Sequence, residues 1–276
     1  MAPTFKILSA AAIITLAAAC AKHDNHQSNF QKRQVLTPGG RDEKDWAYPE
    51  SYDWGSINSN YSLCQMGTQQ APIPLALDQG LSQRHRPDFV GFPSNVTGNF
   101  YNWGYGPAYT IAHEDGRFNT LPSMTFDNKT VYLRGWHIHA PADHTVGGVR
   151  SRAELHYVMV DSAGHEAAVL ALRLDPGQTP SPFFSELPKP LLGFNETDQI
   201  MNQTLNPRLP LEAVDFFSEF WTYQGSLTSP PCTEGIRWFL ARTILFISHE
   251  QMQALLLVSQ FSARAEQQVW LHQINA

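Results

Sequence analysis

Four of the eleven histidines in this chain fall between residues 137 and 156. The run Trp136-His137-Ile138-His139 sets two imidazoles two residues apart. In a strand, residues i and i+2 share a face, so both rings project together while Ile138 points the other way. The run Glu154-Leu155-His156-Tyr157-Val158 repeats this parity and puts Glu154, His156 and Val158 on one face. If the two strands pair antiparallel, three imidazoles converge. Three neutral imidazoles suit zinc, and a tetrahedral ion with three protein ligands keeps a fourth position for water, as catalytic rather than structural centres do. Glu154 has the reach to accept the free ring N–H of His156, setting its tautomer and raising its basicity. Spacing alone leaves another reading open, in which His-x-His is ordinary surface or core polarity and His156 a hydrogen-bonded core residue.

The elements around these residues read as β structure. Short runs rich in branched and aromatic residues recur between turn residues: Thr130–Leu133, Trp136–His139, Glu154–Val160, Ala167–Leu174 and Trp238–Ile247. Two helices are expected, Leu211–Phe220 and His249–Gln260; the second follows Ser248 as N-cap, with Gln251 placed for a capping box. The Pro-rich stretch Pro180–Pro190 is expected to cross the surface as loop or polyproline structure. With 19 Pro, 18 Gly and 12% aromatic residues, strands and loops are favoured over a helical bundle. No repeat or linker interrupts the chain after Trp46, so residues 46–276 read as a single, mainly β domain. The net charge of -6 disfavours nucleic acid as a partner, since phosphate binding needs basic patches.

Residues 1–20 have the form of a cleavable signal peptide: Lys6, the apolar stretch Ile7–Leu16, then Ala17-Ala18-Ala19. Residues 21–45 are polar and read as a flexible lead-in or propeptide, with a dibasic Lys32-Arg33 pair. The expected location is secreted and extracellular, with no membrane span. Cys20 falls in or beside the signal, which leaves Cys64 and Cys232 as one pair in an oxidising compartment. A bridge closing so long a loop is worth roughly 4–5 kcal/mol in the chain-entropy model. Five Asn-x-Ser/Thr sequons, at Asn60, Asn95, Asn128, Asn195 and Asn202, suit a secreted glycoprotein.

The wider sequence resembles the α-class carbonic anhydrases of secreted, eukaryotic type. The likeness is carried by Trp136-His137-Ile138-His139, by Asp143-His144-Thr145-Val146, and by Ala153-Glu154-Leu155-His156-Tyr157-Val158. It continues in Trp221-Thr222-Tyr223-Gln224-Gly225-Ser226-Leu227-Thr228-Ser229-Pro230-Pro231-Cys232-Thr233-Glu234, in Trp238, and in Gln69-Gln70-Ala71-Pro72-Ile73. It runs from about Tyr52 to Gln267 and makes 46–276 an α-carbonic-anhydrase-like catalytic domain. The resemblance implies a central, twisted, mostly antiparallel sheet of about ten strands, with few short helices and Zn2+ at the base of a cleft. It assigns His137, His139 and His156 as ligands, with Glu154 behind them. Thr228 matches the threonine that accepts a hydrogen bond from the attacking zinc-bound hydroxide. Val158, Val169, Leu227, Ile236 and Trp238 fall on the apolar pocket that receives carbon dioxide, and Cys64 and Cys232 on a disulfide found in secreted members. The implied reaction is the reversible hydration of carbon dioxide to bicarbonate and a proton.

Three positions depart from the family pattern. Asp143 stands where a glutamate usually receives the Thr228 hydroxyl proton, one methylene short. Gly135 replaces a glutamine that accepts from the first ligand. Tyr105, not histidine, occupies the proton-shuttle position, and tyrosine, titrating near 10, relays protons poorly at pH 7; His113 is the only substitute in view. Modest turnover is therefore expected. His144 matches a buried structural histidine. The competing reading is a non-catalytic carbonic-anhydrase-like binding module; a zinc hydrolase would need an Arg clamp or second metal site that the sequence does not display. Nothing in the sequence specifies an oligomeric state.

Overall fold

The computed structural model describes residues 44–276; the expected signal peptide and nearly all of the lead-in lie outside the described residues. Thirteen strands follow one another: β1 (Asp88–Gly91), β2 (Val96–Asn102), β3 (Pro107–Ile111), β4 (Ser123–Phe126), β5 (Lys129–His139), β6 (Thr145–Val146), β7 (Val149–Arg150), β8 (Ala153–Val160), β9 (Glu166–Gly177), β10 (Met201–Leu205), β11 (Phe220–Ser226), β12 (Glu234–Ala241) and β13 (Leu245–Ser248). Five short helices accompany them: α1 (Trp54–Ile57), α2 (Leu63–Met66), α3 (Pro182–Glu186), α4 (Arg208–Ala213) and α5 (His249–Leu257). Eleven strands form one sheet whose main path runs β10-β2-β3-β5-β8-β9-β12-β11, with β4 joining β5 and β1 and with β13 on β9. All its pairings are antiparallel except those of β9 with β12 and with β13.

The centre of this sheet follows from strand parity. Leu133, Trp136 and Ile138 on β5, Leu155, Tyr157 and Met159 on β8, and Leu170, Leu172 and Leu174 on β9 are all buried in the main core. Their alternate neighbours are therefore left for the opposite face. There a smaller apolar cluster forms around Ile73, Val169, Trp221, Ile236 and Trp238.

Several elements differ from the sequence expectation. Thr130–Leu133 and Trp136–His139 are one strand, bulged between Leu133 and Gly135 where it pairs with β8. The expected strand Trp238–Ile247 is two strands, β12 and β13, laid end to end along the twelve-residue β9. The expected helix Leu211–Phe220 stops at Ala213. Asp215, Phe216 and Phe217 then take positive φ values of 52°, 48° and 56°, and Phe220 opens β11. The Phe residues there serve the core rather than a helix face: Phe217 is fully buried. The Pro-rich stretch contains α3, whose Phe183 and Phe184 are buried. Helix α5 begins at His249, capped by Ser248 with the expected reciprocal bonds to Gln251, and ends at Leu257 rather than Gln260.

Candidate metal centre

Register brings the three histidines together. On the β5–β8 ladder His137 faces His156 and His139 faces Glu154. His137 Nε2 and His139 Nε2 lie 3.0 Å apart. The ring centroids of His137 and His139 are 4.9 Å apart, those of His139 and His156 4.5 Å, and those of His137 and His156 5.3 Å. One nitrogen from each lies within 4.8 Å of the others, so the trio could hold a metal ion.

The partners of the remaining nitrogens decide which lone pairs are free. His139 Nδ1 lies 2.6 Å from the Ser262 carbonyl. A carbonyl only accepts, so the proton sits on Nδ1 and the Nε2 lone pair faces His137. His156 Nε2 lies 2.7 Å from Glu154 Oε1, which leaves its Nδ1 as the donor atom. Burial, then the neighbouring His139, His156 and Lys44, hold His137 well below the ordinary histidine range. Burial likewise lowers His139, against the pull of Asp143. Neutral imidazoles with lone pairs converging are the ligating form, and this donor set fits zinc.

Glu154 is fully buried and triply engaged. Its Oε1 accepts from His156 and, at 2.6 Å, from His144 Nδ1; its Oε2 accepts from the His144 backbone N–H at 3.0 Å. Burial alone would raise its pKa, but His144 and His156 hold it well below the carboxylate range. His144 continues to the Tyr223 hydroxyl at 2.7 Å. His144, Glu154 and His156 also cluster closely enough for a metal, but their facing atoms are already joined by hydrogen bonds.

His137 has no such support. Its Nδ1 is buried without a hydrogen-bond partner. The neighbouring Gly135 shows why: a Cβ built there would meet the Tyr109 carbonyl oxygen of β3 at 2.2 Å and Thr110 Cα at 3.1 Å. The close approach of β3 excludes any side chain able to accept from His137.

Thr228 is buried at the start of the β11–β12 turn. The Cys64–Cys232 disulfide ties that turn to α2, and Arg264 Nη1 donates to the Leu227 carbonyl at 3.3 Å. Asp143 is fully buried; its Oδ1 accepts from the Arg264 backbone N–H at 2.8 Å, while Oδ2 lies 3.6 Å from His139 Nδ1 and makes no hydrogen bond. No hydrogen bond joins Asp143 to Thr228, so the contact expected from the longer family side chain is not formed.

Val158, Val169 and Trp238 sit opposite one another across β8, β9 and β12, on the face that carries His156. The Trp238 ring lies 5.0 Å from that of His156. Ile236 and Leu227 pack into the same small cluster. Tyr105 stacks on Trp46 with centroids 6.0 Å apart, and burial, then Glu50, pushes its hydroxyl up to about 12. His113 is not near the centre. It lies five residues along from Ala108, the β3 residue that faces His137, roughly 16 Å at strand rise, and its ring is tilted at 45° against Phe118. All five sequon asparagines are exposed.

Sequence reasoning missed Ser262 and Arg264. Arg264 is a buried cation whose guanidinium also donates to Ala71 O, Cys64 O and Gln70 Oε1 at 2.7–2.9 Å. Nothing near either residue in the sequence marks it, because both come from an irregular C-terminal stretch more than 100 residues beyond the histidines. Trp103 and Tyr48 were also unmarked, and both rings contact His139, at 5.4 and 5.7 Å.

A family model described as eukaryotic-type carbonic anhydrase matches residues 49–273. A carbonic anhydrase of Pectobacterium atrosepticum is 28% identical over 80% of this chain and 84% of its own length. The α carbonic anhydrase 4 of Arabidopsis thaliana is 30% identical over 79% of this chain and 76% of its own. Among solved structures, the α-carbonic anhydrase of Thermovibrio ammonificans in complex with sulfanilamide superposes with a TM-score of 0.70 at 24% identity, covering 86% of this chain and 99% of that one. No helix among the described residues is long and apolar enough to cross a membrane.

Proposed function

Because the chain belongs to the eukaryotic-type (α) carbonic anhydrases, we propose that it hydrates carbon dioxide reversibly at a zinc ion held by His137, His139 and His156. The observation that carries this is the tautomer pattern: His139 and His156 commit one nitrogen each to Ser262 O and Glu154, leaving the other toward the shared point. Zinc, when bound, supplies a Lewis acid that brings the pKa of a coordinated water to about 7.

The chain's own residues do the rest. Val158, Val169, Leu227, Ile236 and Trp238 form the apolar wall against which carbon dioxide lies, excluding competing water. Thr228 orients the attacking oxygen through its hydroxyl and meets an oxygen of bicarbonate with its backbone N–H. Asp143 is the carboxylate nearest in role to Thr228's proton acceptor, working without a direct hydrogen bond. Proton export is slow, because a Tyr105 hydroxyl at about 12 stays protonated near neutral pH. The intact ligand trio and Thr228 weigh against a non-catalytic binding module. The disulfide and the exposed sequons support a secreted glycoprotein with residues 46–276 as its catalytic unit.

Metal analysis of purified protein, with stopped-flow carbon dioxide hydration before and after chelation, tests this reading. One zinc per chain, activity lost with the metal and restored by it, and acceleration by added imidazole are expected. Full activity in metal-free protein, or zinc-loaded protein without activity, overturns it.

A further inference from the structure

The loop between β2 and β3 holds a rigid indole over the metal centre. Asn102 is buried and donates from Nδ2 to Leu192 O and Val258 O, both at 2.9 Å, while its Oδ1 accepts from Gly104 N–H. Trp103 N–H donates to Gly106 O at 3.1 Å, closing the turn around Gly104, whose φ of +93° suits glycine. The Trp103 indole N–H donates to Ile138 O at 3.3 Å, the carbonyl between the two ligands of β5. Its ring stands 5.2 Å from His137 and 5.4 Å from His139, edge-on to both. Lys44 braces it from outside: its ammonium donates to Trp103 O at 3.0 Å and lies 4.3 Å from the indole and 4.4 Å from the Tyr105 ring. A second indole, Trp238, stands against His156 at 5.0 Å. The trio thus contacts one indole at His137 and His139 and another at His156.

We propose that Trp103 is a specificity-determining residue that closes the His137–His139 flank of the centre to ligands larger than a few atoms. The proposal rests on the metal-centre reading above. Carbon dioxide and bicarbonate have three and four heavy atoms, and in the reading above they lie against Val158, Val169 and Trp238, beside His156 rather than beside Trp103. A planar aromatic acid needs width on the flank that the indole occupies. The braced loop makes yielding costly, since Trp103 cannot swing out without losing the Ile138 bond and the Lys44 contacts.

The test uses the full chain loaded with Co2+ and follows its visible spectrum during titration with azide, a linear three-atom anion, and with benzoate. In Trp103→Ala, benzoate affinity is expected to rise at least about tenfold while azide affinity changes less than about threefold. Trp103→Phe, which keeps an aromatic wall, should hold the wild-type ratio. Trp103→Leu, a milder truncation that preserves apolar packing, should move the ratio in the same direction by less. An unchanged benzoate-to-azide ratio in both truncations, with Co2+ bound, overturns the assignment of Trp103. Failure of the wild-type chain to take up Co2+ overturns the metal reading, and this proposal with it.

Discussion

Glu154 offers the sharpest quantitative test of how the centre is held. Replacing it by glutamine keeps the shape and removes the charge. The carboxylate accepts three hydrogen bonds, from His144 Nδ1, His156 Nε2 and the His144 backbone N–H. An amide has one acceptor atom and one donor. With its oxygen toward the two imidazoles, its NH2 faces the His144 backbone N–H, so a buried donor goes unpaired; turned over, it faces two ring N–H groups instead. One orphaned donor and the loss of charge assistance cost about 2–4 kcal/mol. In a unit of this size that is a fall in Tm of roughly 5–15 °C. Metal affinity should fall about 10–100-fold as His156 loses basicity. Thermal melts of the chelated protein and competition with a metal chelator read the two effects separately. Because the folded-state pKa of Glu154 is depressed, its contribution is present above the unfolded carboxylate range and is lost only as pH falls through the folded value. The gap between wild type and variant should therefore persist across pH 5–8. A variant that melts within about 1 °C of wild type and keeps its metal equally well would refute the role assigned to this carboxylate.

Lengthening Asp143 to Glu should raise kcat/KM for carbon dioxide hydration, read in imidazole buffer that relieves slow proton export, about tenfold or more by bringing the carboxylate to Thr228, at about 1–3 kcal/mol in stability because the site is fully buried. A folded variant with an unchanged stopped-flow rate would show that the short side chain does not limit catalysis. Gly135→Ala should destabilise by about 2 kcal/mol or more, since its Cβ would press on Tyr109 O and force β3 to shift; denaturant melts check this. The metal-free protein should lose stability as pH falls from about 7 toward 5.5. His137 and His139 have depressed folded pKa values, so the unfolded chain binds protons first, below about 6.5. The expected slope is up to about 1.4 kcal/mol per pH unit for each histidine, and a flat profile over that window would contradict the buried, neutral assignment.

Strand parity showed which side chains share a face, and the motif resemblance then marked His137, His139 and His156 as the candidate ligands. His137 and His139 must share a face, Glu154 and His156 must share another, and period-two geometry needs no knowledge of the rest of the chain. The long motif resemblance carried the family, the sheet class and the Cys64–Cys232 pair, because those residues recur in order. Only the tertiary structure decided what stands behind the ligands. Ser262 reaches His139 from 123 residues away, and Arg264 reaches Asp143 from 121. Such contacts are made by irregular segments returning to the sheet, and no local period encodes them. The same holds for the unpartnered His137 Nδ1, which follows from how closely β3 lies against Gly135, and for Trp103, whose place over the ligands depends on a turn pinned by Leu192 and Val258. The division of Trp238–Ile247 into two strands went unread although Arg242-Thr243 interrupts the apolar run, because two polar residues also fit an exposed turn of one strand and only pairing along β9 sets the break. Which side chains share a face is a matter of local alternation; how they are held depends on distances between segments far apart in the chain.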